Sequence, residues 1–448
     1  MGAPPVRIRR SCEQTREVPN SKTANINFPQ IPRIPIALKL PIFIVWRRFS
    51  PVAISKFELM IPFSNLSPAI MNLSSAYLDT MRLEADPPAD AVIARIAEAY
   101  GPHESRKIFD QLISDIGIPG SHLPAEVIDF FESHSLLPDW ADPARIMKGQ
   151  EVFANHGPML MTLLYFKALP TTYCCHRGAN VLFLTGRMTR SELDKRRFSR
   201  RIAETAQFVV DVMTPGNLLP GGKGIVSAMK VRLIHASVRN FIPAASWNTA
   251  EWGKPVNQED LAGTLMSFSA LMLEGLEQSK KSPGPENSEN YMYAWRVVGH
   301  FLGIRPELSP KTAEEGQGLM SIIFSRQAGE SEAGKVLTQS LLNFVEELIP
   351  GKLFDQAPAL LLRYFCGLQI ANVLGVSYKP GCMTRIFPSA LGSIFGIVGE
   401  LDRKKPEFDE IIRKVNLALL NGMVDFFNPD KKTAFQVSPE LLKKWRSR

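Results

Sequence analysis

From about residue 90 onward, apolar residues recur every three or four positions, and the period scarcely breaks before residue 425. That spacing lays one apolar stripe along a helix. SRKIFDQLISDI (105–116) sets Ile108, Leu112 and Ile116 on one face. PAEVIDFFESH (124–134) opens with a proline in the first turn followed by an acid, and DPARIMKGQEVFANH (142–156) opens with Pro143 just after the acid Asp142; helix starts favour both. GKVLTQSLLNFVEELIP (334–350) aligns Val336, Leu337, Leu341, Phe344, Val345 and Leu348, and Pro350-Gly351 stops it. Further helices are predicted over 190–213, 229–241, 354–375, 384–400 and 406–425. The helix at 190 opens on Thr189-Arg-Ser-Glu192, a capping box. Strand signals are nearly missing, because no Asn-Gly or Asp-Gly turn lies between alternating runs. The pattern predicts an all-α chain of roughly a dozen helices, with 279–290 and 307–318 as polar connections and no internal repeat.

Residues 1–70 break the pattern. They are rich in Pro, Arg and Ser, and residues 1–60 hold ten Lys/Arg against three Asp/Glu. A basic, Pro-rich tail is expected there, ahead of a single helical domain over 90–425. The whole chain carries a net charge of +8 over 448 residues. With the excess gathered at one end and no nucleic-acid-binding motif, no nucleic-acid partner is expected. The longest apolar run, IALKLPIFIVW (36–46), is interrupted by Lys39 and Pro41, too short to span a bilayer. The five cysteines are sparse and odd in number, with no C-x-x-C. That fits a reducing compartment, and an intracellular location is the expectation.

Several chemistries fall away. GNLLPGGKG (216–224) is out of register for a P-loop and lacks the hydroxyl that would hold Mg²⁺; it is better explained as a loop between two long helices. No HExxH, no G-x-S-x-G and no Glu-x-x-His occurs, which removes zinc proteases, α/β-hydrolases and di-iron bundles. His176, beside Cys174 and Cys175, is expected to be a packing residue.

The two long helices on either side of that loop are less ordinary. In RRIAETAQFVVDVM (200–213), Arg201 and Thr205 share a stripe with Phe208 and Val212. In MKVRLIHASVRNF (229–241), His235 lies in line with Ala228, Val231 and Val238, with Arg232 and Arg239 on either side of it. Alone, Arg201 could snorkel to the rim or pair with a buried acid, and His235 could be a core histidine bonded to a carbonyl. Together they put an imidazole on one helix and a cation with a hydroxyl on the next. That combination could flank a flat, apolar, dianionic cofactor. Arg232, Arg239 and Lys230 are candidates for its carboxylates, since guanidinium forms forked bonds with them, and a solvated face is the alternative for these three.

These segments resemble the superfamily of rubber oxygenases (latex-clearing proteins) and mycophenolic acid pathway oxygenases. The resemblance is carried by GPMLMTLLYFKALPTTYCCHRGANVLFLTGRM (157–188), RRIAET (200–205), KVRLIHASVR (230–239), WGKPVNQEDLAGTLMSFS (252–269) and YAWRVVGHFLGI (293–304). It spans about 140–375, and its most specific feature is R-x-x-x-T followed thirty residues later by H-x-x-x-R. It implies a haem b protein with a globin-like helical core and additional helices. His235 then matches the proximal iron ligand, and Arg201 and Thr205 match the polar pair beside the haem. Rubber oxygenases carry a lysine just before that threonine; Glu204 stands there in this chain, a candidate base that could equally face solvent.

The implied function is oxidation or cleavage, with O2, of a C=C bond in an apolar, isoprenoid-type substrate. The electron donor is unspecified, and the substrate's character is compatible with peripheral association with a membrane. Met159, Met161, Phe166, Leu182, Phe183 and Phe208 are candidate walls for such a substrate or plain core. Two rival readings remain: a non-catalytic haem- or lipophile-binding protein, and a haem-free scaffold in which Arg201 and His235 satisfy each other.

Overall fold

Pro143, Asp142 and the apolar stripe behind them found the central helix of the molecule. The structure is a computed structural model that describes residues 73–114, 123–186, 192–348 and 357–377. The predicted tail at 1–70, the cap at Thr189, the stop at Pro350-Gly351 and the helices at 384–400 and 406–425 lie outside these. Among the described residues the regular elements are helices, and the sole strand-type pairing is the isolated bridge Cys175–Ala328. The all-α expectation holds.

Helix α1 (Ser75–Arg82) precedes residue 90 and is capped by the Ser74 hydroxyl, which accepts from Tyr77 N at 3.1 Å. Helix α2 (Pro87–Ser114) takes in residues 105–114 of the predicted 105–116 segment, whose last two lie outside the described residues, and begins much earlier. It kinks at Gly101, whose φ of 72° only glycine adopts freely, just before Pro102. Helix α3 (Ala125–His134) starts one residue after Pro124, which occupies the cap rather than the first turn. Helix α4 (Pro143–Leu163) starts at the expected proline and is capped by Asp142, whose Oδ1 accepts from Ala144 N at 2.8 Å.

At the end of α4 the backbone widens into a π-helical turn, Leu164–Ala168, before α5 (Leu169–Cys174). Pro170 has no N–H to give the carbonyl of Phe166 four residues back. The Cys366 thiol donates to that carbonyl instead, at 3.1 Å. The turn also carries the buried Lys167, whose ammonium donates to Glu274 at 2.9 Å, Gln278 at 3.3 Å and the Phe365 carbonyl at 2.8 Å.

There follow α6 (His176–Gly186), α7 (Glu192–Met213), α8 (Lys223–Phe241), the short α9 (Thr249–Trp252), α10 (Gln258–Phe268) and α11 (Ala270–Gln278). The chain continues through α12 (Pro285–Phe301), α13 (Ala313–Gln327), α14 (Glu332–Leu348) and α15 (Ala357–Val373). Residues 285–290 and 313–318, expected as connections, are the first turns of α12 and α13. Pro285 and the Thr312 cap start those helices in spite of their polar composition.

Helices α4 and α12 form the centre. Gly149 of α4 lies so close to the backbone of Asn290 that any Cβ would collide with it. Trp295 of α12 is enclosed by Phe208, Phe268 and Tyr291, with ring centroids 6.4, 5.9 and 6.3 Å away. Truncating such a residue typically costs about 3–5 kcal/mol, so this ring fixes α12 against α7.

The buried Gln150 of α4 holds the α7–α8 hairpin. Its Nε2 donates to the Val212 carbonyl at 2.8 Å, and its Oε1 accepts from Gly216 N at 2.9 Å. The connection is the Gly/Pro loop expected of this stretch. The Asn217 carbonyl accepts from Gly224 N at 2.9 Å, and Asn217 Nδ2 donates to Asp211 O at 2.8 Å. Gly224 thereby rests against Asp211 and Val212, and α8 runs back along α7.

Candidate functional site

Counting from the contact of Gly224 with Val212 places the two polar positions. Arg201 is eleven residues before Val212, and His235 is eleven residues after Gly224. With equal rise per residue on both helices, Arg201 comes level with His235, and Thr205 with Val231.

Neither sits in the middle of a core stripe. On α8 the deeply buried residues are Ile225, Ala228, Met229, Arg232, Leu233 and Ala236, while Val231, His235, Val238 and Arg239 are half-buried. On α7 the same holds: Ile202, Ala206, Val209 and Val212 are buried, and Arg201 and Thr205 are half-buried. The polar groups thus occupy the shoulders of two adjacent helices, at one level. The sequence pattern had the histidine in line with Ala228; the true stripe is rotated toward Leu233 because α8 must also pack on α2.

The state of His235 is unusual for a folded protein. Its Nδ1 is buried and has no hydrogen-bond partner, a rare condition for a buried polar atom. Burial pushes the imidazole down to about 4, nearby Arg239 pushes the same way, and Asp86 opposes them. The ring is therefore neutral at pH 7, as a metal ligand must be. Arg201 Nη1 donates to the Leu182 carbonyl at 2.9 Å. Among the described residues no carboxylate bonds to this guanidinium. Burial lowers its pKa, with Tyr173 and Glu204 opposing. Arg201 and His235 do not bond to each other, so they do not satisfy one another as the scaffold reading required. The Thr205 hydroxyl donates back to the Arg201 carbonyl at 2.9 Å, leaving its lone pairs available.

Other candidates are engaged elsewhere. Glu204 accepts from Arg200 Nε at 2.7 Å, and both side chains are well exposed, at 39% and 52%. Arg232 is buried and forks onto Asp86, Nε to Oδ2 at 2.5 Å and Nη2 to Oδ1 at 2.8 Å. Arg239 Nε donates to Asp90 Oδ1 at 2.6 Å and its Nη1 to the Val256 carbonyl at 3.1 Å, while Nη2 is buried without a partner. Asp86 and Asp90 lie at the start of α2, where the helix N-terminus favours negative charge. Gly303, at φ 76°, makes room for the Arg232–Asp86 pair, since a Cβ there would lie 2.6 Å from each. Lys230 is buried near Asp211. Of the proposed walls, Leu182 and Phe183 are half-buried, while Met159, Met161, Phe166 and Phe208 are buried. His176 Nδ1 pairs with the Gln327 carbonyl at 2.8 Å, a packing role as expected.

Three partners were not visible in the sequence. Tyr173 of α5 is buried beside Arg201, and burial raises its phenol pKa while the guanidinium lowers it. Asp86 and Asp90 anchor α8. No local spacing signals any of these, because each reaches its partner from far along the chain.

Among the described residues no group of three His, Cys, Asp or Glu gathers as a metal site made of protein alone would require. A haem iron needs less from the protein, because the macrocycle supplies the equatorial nitrogens and one imidazole can complete the attachment. A neutral histidine with an unpaired ring nitrogen, on a half-open shoulder, fits that need. No described helix is long and apolar enough to cross a membrane.

Comparison with known proteins gives one consistent result. The family model for "ER-bound oxygenase mpaB/B'/Rubber oxygenase, catalytic domain" matches residues 156–385. A rubber oxygenase of Streptomyces sp. (strain K30) is 27% identical over 301 residues, covering 66% of this chain and 71% of the relative. A structure of the latex clearing protein LCP in the closed state superposes with a TM-score of 0.62 at 22% identity, over 77% of this chain and 91% of the other. At that identity the likeness is one of fold.

Proposed function

This chain belongs to the family of mpaB-type and rubber oxygenase catalytic domains, and from that premise we propose that it is a haem b-dependent oxygenase. Its substrate in this reading is an apolar, isoprenoid-type molecule whose C=C bond is oxidised or cleaved with O2. The globin-like character of the helical core is part of the proposal. The observation that carries it is the neutral His235 with its unpartnered Nδ1, level with Arg201 and Thr205 on the neighbouring helix.

In this reading His235 would hold the haem iron. When bound, haem b supplies the dioxygen chemistry, while the protein supplies ligation, access and polarity. Arg201 has donors to spare and few acceptors near it, so it would stabilise negative charge developing on an oxygen of the substrate. Thr205 offers a hydroxyl one turn away, pointed by its bond to the Arg201 carbonyl. Leu182 and Phe183 provide the apolar approach and keep bulk water from the reacting end. Arg232 and Arg239 hold α8, and with it the imidazole, against the first turn of α2. Glu204 stays with Arg200 at the surface, and the reading does not need it as a base.

The test is direct. The purified chain supplemented with hemin is expected to show a Soret band and pyridine-haemochrome, and His235→Ala is expected to lose both. A full haem complement in His235→Ala overturns the assignment. A second reading, a haem- or lipophile-binding protein without turnover, draws on one observation: Glu204 replaces the family's lysine and is tied to Arg200. Oxygen consumption by the reduced protein with an unsaturated isoprenoid separates the two.

A further inference from the structure

Two arginines stand against one aromatic bracket formed by α12 and the α3–α4 connection. Arg145, in the first turn of α4, lies over the Tyr293 ring with its Cζ 4.1 Å from the centroid, and Arg296 lies over the Trp140 ring at 4.0 Å. The two rings meet edge to face, with centroids 5.9 Å apart. Tyr293 and Arg296 are also neighbours on α12, one turn apart. The Tyr293 hydroxyl donates to the Trp140 carbonyl at 2.6 Å and accepts from Asp142 N at 2.8 Å. That phenol ties the connection to α12 and so holds the bracket together.

The bracket has donors in surplus. Arg145 Nε donates to Asn290 Oδ1 at 3.2 Å, which leaves both terminal nitrogens of that guanidinium unspent among the described residues. Arg296 makes no hydrogen bond among the described residues, and its Nε is buried. Stacking covers a face of each guanidinium but consumes none of its N–H groups. Acids lie on the same elements, yet none bonds to either arginine. Glu286 pairs with Lys148 at 2.9 Å, Glu289 accepts from Ala313 N at 3.0 Å, Glu315 accepts from Lys311 N at 2.8 Å, and Asp142 caps α4. Asp139 is exposed beside Trp140. Burial lowers the pKa of Arg296, Tyr293 and Glu315 oppose this, and Arg145 adds to it. Two like charges thus share one aromatic support with no acid bonded to either.

A single carboxylate fills one guanidinium fork. A phosphate monoester carries about 1.5 to 2 negative charges near pH 7 and three strong acceptor oxygens, enough for two forks. We propose that Arg145 and Arg296 form a binding site for a phosphate group, with Tyr293 and Trp140 holding the two guanidinium groups in place. Leu136 and Trp140 are exposed apolar side chains of the same connection, so the phosphate is either free in solution or the headgroup of an anionic lipid. The site does not rest on the haem reading.

The test uses the full-length chain near pH 7, without hemin, in two arms. Equilibrium dialysis against inorganic phosphate is expected to show one saturable site per chain. Arg145→Met and Arg296→Met are each expected to weaken it about tenfold or more, with part of the affinity kept in Arg296→Lys. Lys148→Ala, which removes a cation of α4 already paired with Glu286, is expected to leave it unchanged. The second arm is flotation with phosphatidylcholine vesicles, with and without phosphatidic acid. Binding that requires phosphatidic acid and falls in both methionine variants supports the site with a lipid headgroup as its source; the same dependence for inorganic phosphate alone supports a soluble source. No binding in either arm overturns the proposal, as does binding that survives either methionine variant or that Lys148→Ala weakens equally. Should a methionine variant fail to fold, Trp140→Leu keeps both charges and removes one ring: a loss of a few fold or more supports the proposal, and unchanged affinity overturns it.

Discussion

Two parts of this molecule bury charge, and they treat it in opposite ways. Where α1, α10 and α13 meet, Glu259 is fully buried between two arginines. Arg82 Nη1 donates to it at 3.1 Å and Arg326 Nε at 2.9 Å. Arg82 also bonds Asp260 at 2.9 Å, Arg326 bonds Asp79 at 2.5 Å, and Gln327 adds a donor to Glu259 at 2.8 Å. Each formal charge there has an opposite neighbour. On the shoulders of α7 and α8, Arg201 has one carbonyl and no bonded acid, and His235 Nδ1 has nothing. The first cluster matches every charge with an opposite one, although Arg82 Nε and Gln327 Oε1 are left without partners, and it fastens helices together. The second bonds no acid to either group, and in the proposed reading it serves a cofactor.

The strongest way to break that contrast is to remove a member of the charge-matched cluster. Glu259→Ala leaves two buried guanidinium groups without their shared acid and is expected to cost about 3–5 kcal/mol, read as a fall in the denaturant midpoint. Arg201→Met is expected to act the other way round. It should leave the midpoint near the wild-type value while lowering oxygen uptake with an unsaturated isoprenoid about a hundredfold. A large loss of stability in Arg201→Met would place that residue with the structural charges.

Acid titration sharpens the comparison next. The His235 ring has a folded pKa of about 4, below its ordinary 6.5, so the unfolded chain binds the proton more tightly. The resulting stability is whole above about pH 6.5 and is lost as pH falls toward about 4, on the order of 3 kcal/mol at most. In the haem-free protein, His235→Ala is expected to flatten that limb of the stability curve. An identical slope in the variant would show that other groups carry it. The smallest effect belongs to Glu204. Glu204→Gln breaks an exposed pair one turn apart on α7 and is expected to shift stability by less than about 0.5 kcal/mol, with hemin binding unchanged.

Much of the fold was legible because helical period is a local property. The positions of α4, α7, α8 and α14 follow from stripes that can be counted within twenty residues, and the Gly/Pro loop at 216–224 was visible for the same reason, though its last two residues already belong to α8. Helix α1 was missed because its eight residues are too few to show a period. The kink at Gly101 and the π turn at 164–168 were missed because each depends on one residue interrupting an otherwise regular run. At the site, Arg201, Thr205 and His235 stood out as polar groups on apolar sides. Their immediate surroundings did not, because Asp86 lies 146 residues from Arg232, and Tyr173 reaches Arg201 from a different helix.

The sequence by itself determined that this is a helical chain of the oxygenase family and singled out Arg201, Thr205 and His235 as polar groups on two neighbouring helices. Only the tertiary structure decided that they stand beside the apolar stripes and what surrounds them there. Whether a buried donor is spent or spare depends on which distant acids and carbonyls arrive beside it. Packing brings Asp86 and Asp90 to the arginines of α8 and brings no partner to Nδ1 of His235.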